Sequence, residues 1–124
     1  MENSELHDLV VGCYSDGKEA PSLFYFNAKE KKAEAVLSEI NSSYVVLSNG
    51  HYYVVAEHQA GLLVTLNSKF EILSRIQTLG DDPCQITLDN TGVYIVVTNY
   101  SSASILICKL VNHIPTSVHS FITH

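Results

Sequence analysis

The stretch DDPCQITLDNTGVYIVVTNYSSASILICKL, residues 81–110, holds two apolar runs separated by a loop of small polar residues. The runs are rich in β-branched and aromatic side chains, a composition typical of strands. A DNTG turn at 89–92 stands in front of the first run. The stretch therefore predicts short antiparallel strands joined by tight turns.

The same pattern occurs earlier in the chain. Residues 41–67, NSSYVVLSNGHYYVVAEHQAGLLVTLN, align without a gap on residues 83–109, and Gly50 falls on Gly92, an offset of 92 − 50 = 42 residues. Repeats of roughly 40 to 50 residues built from short strands are typical of β-propeller blades. The repeat therefore predicts an all-β chain made of four-stranded antiparallel blades.

A fainter copy precedes these two, with LVVGCYS at 9–15 and SLFYFN at 22–27. We therefore predict a polar tail over residues 1–8, followed by about two to three blades. The predicted blade units are about 9–40, 41–80 and 81–124.

Strand positions follow from the apolar runs and the turn residues between them. We predict strands at about 44–47, 52–57, 62–67 and 72–78, and at about 85–88, 94–99, 105–110 and 117–122. An Asn49-Gly50 hairpin turn joins the first pair. The second strand of each unit, YYVVA or YIVVT, is apolar almost throughout and is expected to be buried on both faces. Residues 27–40 contain helix-forming residues, but their position predicts a turn into a strand.

The composition restricts the class of protein. Hydrophobic residues make up 46% and charged residues 16% of the 124 residues, which predicts a packed core. The formal net charge of −6 argues against nucleic acid or an anionic membrane surface as a partner, because phosphate contacts need clustered Lys and Arg. No apolar run is long enough to span a bilayer, and the acidic start MENSELHD does not resemble a secretory signal. We therefore expect a cytoplasmic protein.

Metal and cofactor motifs are not found in the sequence. Cys13, Cys84 and Cys108 show no CxxC spacing, and the six histidines form no HxH, HxxxH or HExxH pattern. No G-x-S-x-G motif and no phosphate-binding glycine loop occur either. We expect no metal and no cofactor, and we expect Cys13 and Cys108 to be small buried thiols within strands.

Four motifs in order resemble the lactonase family of seven-bladed β-propellers, which includes the propeller-type 6-phosphogluconolactonases. They are GCYS at 12–15, SLFYF at 22–26, NSSYVVLSNGHYYVVAE at 41–57 and PCQITLDNTGVYIVVTNYSSASILI at 83–107. The resemblance covers roughly residues 9–124 and implies the N-terminal portion of such a propeller. Three features depart from the family pattern: Ser follows Asn41 instead of Pro, Gln85 replaces a His, and SAS at 102–104 replaces a GGS-like turn.

The resemblance implies hydrolysis of a sugar lactone, with 6-phosphogluconolactone as the leading substrate, in the pentose phosphate route of carbohydrate metabolism. A small-molecule lactone is then the partner, and uncovered blade faces predict self-association. Glu57 is a candidate catalytic carboxylate that acts as a base or orients water, and His124 is a second catalytic candidate at the start of an HxGxG-like stretch. The candidate substrate-binding residues are Tyr14, Asn41, Gln85, Asn99 and Tyr100.

The sequence is also consistent with other interpretations. Glu57 and Asn99 occupy equivalent repeat positions, and both could satisfy backbone donors at a blade corner. Gln85 can hydrogen-bond a substrate but cannot transfer a proton as His would. A muconate-type cycloisomerase shares the fold. A non-catalytic propeller segment that serves as an interaction scaffold is favoured by Gln85 and by the lack of clustered cationic groups.

Overall fold

The computed structural model describes residues 7–15, 19–38 and 40–123, which form three antiparallel sheets. The first contains β1 (Leu9–Gly12), β2 (Pro21–Asn27) and β3 (Lys32–Ser38), in that order. The second contains β4 (Val45–Ser48), β5 (His51–Ala56), β6 (Leu62–Leu66) and β7 (Ile72–Gln77). The third contains β8 (Pro83–Leu88), β9 (Tyr94–Asn99), β10 (Ser104–Val111) and β11 (Ile114–Thr123). The prediction of an all-β chain with four-stranded antiparallel sheets is confirmed for the second and third sheets.

Strand limits differ little from those predicted. β9 has the predicted bounds, and β11 begins at Ile114, earlier than expected, because a tight turn at 112–113 joins it directly to β10. Residues 32–38 form a strand after a turn, as the sequence indicated. The exact limits of the blade units remain a prediction. In the described residues there is no helix that could cross a membrane.

Tight turns set the register of the second and third sheets. Asn49 and Gly50 have φ angles of 50° and 73°, and Ser48 pairs with His51, so the β4–β5 connection is the two-residue loop with positive φ that the sequence predicted. At the β8–β9 turn the Asp89 carboxylate accepts hydrogen bonds from the Thr91 hydroxyl and from the backbone N–H groups of Val93 (2.9 Å) and Tyr94 (2.8 Å). These bonds, the one from Thr91 first, lower the pKa of Asp89.

The first sheet repeats only three strands of the pattern. Asn27 ends β2 and Asn67 follows β6, and the Oδ1 of each accepts a backbone N–H at 2.9 Å, from Glu30 three residues later and from Lys69 two residues later. β2 therefore corresponds to β6, β1 to β5 and β3 to β7. In the second sheet, β4 pairs with the free side of β5. No strand of the described residues pairs with β1 in the corresponding way.

Two apolar cores hold the sheets face to face. The core between the first and second sheets is formed by Leu23, Val54, Val64 and Leu66. The core between the second and third sheets is formed by Tyr53, Val55, Leu63, Ile86, Ile95, Val97, Leu106, Cys108 and Leu110. Across the second interface, the Tyr53 hydroxyl also donates a hydrogen bond to the carbonyl oxygen of His113 at 2.6 Å.

Burial of the second strand differs between the two four-stranded sheets. Residues Tyr53–Ala56 of β5 are all buried, because β5 lies between two sheets. Along β9 burial alternates instead: Ile95 and Val97 are buried, whereas Tyr94, Val96 and Thr98 are partly exposed. The expectation of two buried faces was wrong for β9, because no further sheet covers its outer face in the described part of the chain.

The cysteines are free thiols in different environments. Cys108 is buried within β10, as predicted. Cys13 lies just after the end of β1 and is partly exposed, so the prediction of a buried strand residue was wrong there. The reason is that the chain leaves the sheet at Gly12, where the Cys13 carbonyl turns to accept a hydrogen bond from Ser42 N–H at 3.0 Å.

The core between the second and third sheets gives a direct stability test. Leu63 is fully buried there, and Leu63→Ala is expected to lower the free energy of unfolding by about 2–5 kcal/mol, because it removes packed methyl groups and leaves a cavity. Urea denaturation followed by circular dichroism measures this change. Leu47→Ala is the matched control: Leu47 is 61% exposed, so an effect below about 0.5 kcal/mol is expected. Equal effects of the two substitutions would contradict the packing described here.

Candidate functional site

The candidate site lies at one end of the sheets, where β1 and β5 end and where β4 and β8 begin. Ser42 N–H donates to the Cys13 carbonyl at 3.0 Å, and Glu57 N–H donates to the Asn41 carbonyl at 2.9 Å. These two bonds bring the segments after β1, before β4 and after β5 together. We call Tyr14, Asn41, Glu57 and Cys84 the corner group.

Tyr14 and Glu57 form the central interaction of the corner group. The Tyr14 hydroxyl donates a hydrogen bond to Glu57 Oε1 at 2.9 Å, although the two residues are 43 positions apart. This bond, followed by partial burial and by the negative charge of Glu57, raises the pKa of Tyr14, and the Ser43 hydroxyl opposes the effect. Tyr14 is 54% exposed, so the pair is open to small molecules from solvent.

Asn41 fixes the backbone on both sides of this pair. Its Oδ1 accepts the Ser15 N–H at 2.9 Å, and its Nδ2 donates to the Glu57 carbonyl at 3.1 Å. Together with the hydrogen bond from Glu57 N–H to the Asn41 carbonyl, these contacts fix the position of the Glu57 backbone, from which its side chain extends. In this structure Asn41 therefore acts as a positioning residue.

A close backbone approach beneath the corner group requires glycine at position 12. A Cβ at Gly12 would lie 1.9 Å from the Ser42 carbonyl oxygen. Next to this contact, the buried hydroxyls of Ser22 and Ser42 hydrogen-bond at 3.1 Å. The first sheet can therefore reach the segment before β4 only because position 12 has no side chain.

Cys84 lies at an irregularity of the third sheet. Pro83 pairs with Asn99 and Gln85 pairs with Thr98, so Cys84 is an extra residue on β8, a β-bulge. Its thiol pKa is raised, mainly by burial and secondly by the negative charge of Glu57. The bulge thus places a protonated thiol within the electrostatic reach of the Glu57 carboxylate.

Gln85 points away from the core between the second and third sheets. It is exposed, whereas the next residue, Ile86, is buried in the core with the second sheet, so the two side chains point to opposite faces of β8. The described hydrogen bonds do not connect Gln85 to Tyr14 or Glu57.

Asn99 and Tyr100 occupy two unlike environments at the end of β9. Asn99 is fully buried, and its Nδ2 donates to the Thr78 carbonyl at 3.0 Å and to the Ser104 hydroxyl at 3.1 Å. Tyr100 is 76% exposed, and its N–H donates to the Asp82 carbonyl at 2.9 Å. The structure places neither side chain beside Glu57, and their substrate-binding roles remain predictions. His124 lies outside the described residues.

The charges around the corner group are negative. In the described segments, the charged group that acts on both Tyr14 and Cys84 is Glu57, and no Lys or Arg contributes. No three His, Cys, Asp or Glu side chains of these segments lie close enough to hold a metal ion. A hydrogen-bonded carboxylate and phenol at an open edge can activate or orient a water molecule.

The chain matches a known protein family over most of its length. A family model described as lactonase, 7-bladed beta-propeller, matches residues 8–124. The chain belongs to this lactonase family. The prediction of a partial seven-bladed propeller of this family is confirmed.

Known proteins resemble this lactonase chain in sequence and in fold. It is 33% identical over 112 residues to a 6-phosphogluconolactonase of Formosa agariphila. This alignment covers 78% of this chain and 32% of the relative. A solved structure of a proposed 6-phosphogluconolactonase from Bacteroides fragilis has a TM-score of 0.74 at 25% identity, over 94% of this chain and 36% of the other. A periplasmic gluconolactonase of Pseudomonas aeruginosa has the same fold, with a TM-score of 0.77 at 21% identity over 94% and 38%. The chain spans about a third of the length of these relatives.

One residue of this lactonase corner group was not predicted from the sequence. Cys84 was noted there only as one of three unpaired cysteines, because a bulge cannot be located from a single sequence. The adjacent Pro83, which cannot donate a backbone hydrogen bond, was the available signal for an irregular strand start.

The Tyr14–Glu57 bond makes a prediction about proton affinity. Glu57→Gln removes the negative charge and the carboxylate acceptor, so the pKa of Tyr14 should fall toward its ordinary value. Carbon-13 NMR titration of labelled tyrosine rings measures the pKa of Tyr14. The Tyr14 signal is identified by its loss in the Tyr14→Phe variant. Because the folded-state pKa is raised, this interaction stabilises the fold below the unfolded-state pKa and is lost as the pH rises through the folded value.

The matched control for this titration is Glu71→Gln. Glu71 accepts a hydrogen bond from Asn67 at 2.7 Å and is not a partner of Tyr14. The Tyr14 titration should be unchanged in this variant. A Tyr14 pKa that is insensitive to Glu57→Gln would show that the pair does not form in solution.

Proposed function

We propose that this chain forms three blades of a propeller that hydrolyses a sugar lactone. The observation that carries the proposal is the solvent-accessible Tyr14–Glu57 pair in a chain of the lactonase family. The proposed substrate is 6-phosphogluconolactone, because the Formosa agariphila relative is named a 6-phosphogluconolactonase. The product is then 6-phosphogluconate, and the reaction belongs to carbohydrate metabolism through the pentose phosphate route.

The chemistry assigned to the corner group is general-base hydrolysis. The Glu57 carboxylate takes a proton from a water molecule as the water oxygen bonds to the lactone carbonyl carbon. The ring carbon–oxygen bond then breaks, and the ring oxygen leaves with the proton that Glu57 returns. The products are a carboxylic acid, which ionises, and a hydroxyl group, so atoms and charges balance without a cofactor.

Tyr14 serves as a hydrogen-bond donor in this scheme. Its raised pKa keeps the phenol protonated at neutral pH, so it can hold the Glu57 carboxylate in place or donate to the oxyanion that develops on the lactone. Asn41 keeps the backbone of Glu57 in position through its amide contacts. The protonated thiol of Cys84 adds no second negative charge beside the base.

The remaining candidate residues are assigned to substrate contacts at the same edge. Tyr100 offers an exposed phenol, and Gln85 an exposed amide that binds a hydroxyl but transfers no proton. Asn99 is buried between the Thr78 carbonyl and the Ser104 hydroxyl, so it contacts substrate only if these residues move apart. His124 is proposed as a second acid–base group. Because no Lys or Arg among the described residues acts on the corner group, the cations that anchor a phosphate are expected from other parts of the propeller.

The test is a lactone hydrolysis assay on the full seven-bladed form that contains this chain. Glu57→Gln should lower kcat by about 100-fold or more, because a proton acceptor at the reacting water is lost. Glu71→Gln, which changes a surface carboxylate elsewhere, should leave kcat unchanged. The 124-residue chain alone should not exceed the spontaneous rate. Full activity of Glu57→Gln would refute the role of Glu57, and activity of the short chain would refute the need for further blades.

A second candidate function is a non-catalytic interaction scaffold. The observation that favours it is the lack of a cationic group acting on the corner group in the described residues. The same assay separates the two functions, because a scaffold would show no lactone hydrolysis even in the seven-bladed form. A muconate-type acid in the substrate panel tests the cycloisomerase alternative.

Self-association is proposed for the 124-residue chain because the outer face of its first sheet is apolar. Residues of the first sheet line a shallow cavity of about 370 Å³ on its outer face: Leu9, Val11, Phe24, Phe26 and Ala33. Sedimentation should show a mass that increases with concentration, as exposed apolar patches associate. Val11→Glu should reduce the association, whereas Leu79→Glu, on an exposed loop, should not. A monomer at all concentrations would contradict the proposal.

The proposed location is the cytoplasm, a reducing compartment in which the free thiols of Cys13, Cys84 and Cys108 persist. Cell fractionation of the natural protein, with cytoplasmic and periplasmic marker enzymes measured in parallel, tests this location. Recovery with the periplasmic marker would overturn it.

A further inference from the structure

A pair of histidine side chains lies at the end of the sheets opposite the corner group. His51 begins β5, and His113 lies in the turn between β10 and β11. Glu57 follows the other end of β5, so the pair and the corner group are separated by the length of that strand. The two histidines are 113 − 51 = 62 positions apart, which is why no histidine motif in the sequence indicates them.

Packing of the second sheet on the third brings the two imidazole rings together. Their centroids are 4.8 Å apart and their planes are inclined by 28°, so the rings are stacked. The Tyr53 hydroxyl, two residues along β5 from His51, donates a hydrogen bond to the His113 carbonyl oxygen at 2.6 Å. This bond holds the β10–β11 turn against β5. The pair therefore spans the interface between two sheets and is positioned by a contact that involves neither ring.

The tautomer of His51 is set by a backbone carbonyl. Its Nδ1 lies 2.9 Å from the carbonyl oxygen of Asn49. Because a carbonyl oxygen only accepts hydrogen bonds, Nδ1 carries the hydrogen of the neutral ring and Nε2 carries a lone pair. Histidines that bind metals in proteins show the same arrangement, in which the second ring nitrogen donates to a carbonyl or carboxylate and so orients the nitrogen that binds the metal.

The ring of His113 can turn towards His51. The residue is exposed, and among the described residues its ring has a stacking contact with His51 but no hydrogen-bond partner. Zn–N bonds of about 2.0–2.1 Å place two imidazole nitrogens roughly 3.3 Å apart on a tetrahedral ion. Shared binding of one ion therefore requires the exposed His113 ring to rotate, whereas the His51 ring stays on its carbonyl.

We propose that His51 and His113 together bind one divalent transition-metal ion such as Zn²⁺. Imidazole nitrogen suits Zn²⁺, Cu²⁺ and Ni²⁺, whereas Mg²⁺ and Ca²⁺ prefer oxygen ligands. No third His, Cys, Asp or Glu side chain of the described segments joins the pair, so water fills the other positions and the ion exchanges with solvent. The net charge of −6 favours the approach of a cation.

The bound ion links the second sheet to the third. One ligand belongs to β5 and the other to the β10–β11 turn, so the coordinate bonds cross the same interface as the apolar core between these sheets. A ligand that binds the folded chain more tightly than the unfolded chain stabilises the fold as its concentration rises. The site lies apart from the corner group, and the proposal does not depend on the proposed lactone hydrolysis.

The test is a Zn²⁺ titration of the 124-residue chain, followed by nitrogen-15 NMR of the histidine rings. The Nε2 signal of His51 and one ring nitrogen of His113 should shift with the same apparent Kd, while Nδ1 of His51 stays protonated. Mg²⁺ at the same concentrations should shift neither ring. His51→Gln and His113→Gln should each weaken Zn²⁺ binding at least about tenfold, because a single imidazole cannot chelate the ion. Zn²⁺ should raise the Tm of the unaltered chain and not that of these two variants.

The matched control is His58→Gln. Nδ1 of His58 lies 2.8 Å from the carbonyl oxygen of Gln59, as Nδ1 of His51 does from its own carbonyl, but no second imidazole of the described residues stacks on it. The affinity for Zn²⁺ should be unchanged in this variant. If His51→Gln does not fold, the ring signals of the unaltered chain decide the question.

Three outcomes would overturn the proposed site. The first is the absence of Zn²⁺ binding by the unaltered chain. The second is an equal affinity in the variants at positions 51, 113 and 58, which would mean that the histidines bind singly. The third is a shift of the cysteine Cβ signals with the rings of His51 and His113 unchanged, which would assign the ion to the free thiols.

Discussion

The packing of one apolar sheet face on the next is the constraint on which this structure depends. The second sheet is the only one of the described sheets with neighbours on both sides, and its strand β5 supplies side chains to both cores. The stability of each outer sheet is therefore tied to contacts with the second. A sheet of three or four short strands buries too little apolar surface to be stable alone, so the unit of folding is the stack and not the blade.

The same constraint creates the corner group. Stacking brings the ends of β1 and β5 and the start of β4 to one edge, and the missing side chain at Gly12 lets the backbones approach closely. Asn41 then fixes the chain on both sides of Glu57. Most of the precision of the site thus comes from backbone contacts and one amide side chain, and the groups with chemical reactivity are placed on top of them.

The sequence predicted the regular parts of this fold well. Turn residues such as Asn49-Gly50 and the period of 42 residues are local or repeated signals, so the strands and the blade-like sheets followed from them. The environments of individual residues were harder to predict. Asn99 and Glu57 occupy equivalent repeat positions, yet Asn99 is sealed beneath its corner and Glu57 is accessible, because the loops that cover them differ. The bulge at Cys84 and the open edge of β1 depend on pairing between strands, which a single sequence does not specify.

The Tyr14–Glu57 bond joins two sheets that have no covalent constraint other than the chain that connects them. A sliding movement of one sheet over the other by the length of a single strand residue, about 3.3 Å, would move the phenol out of hydrogen-bond reach of the carboxylate. The reactive pair thus exists only when the stack is correctly docked. A folding intermediate in which the first two sheets were not yet docked would therefore hold a carboxylate without its phenol partner.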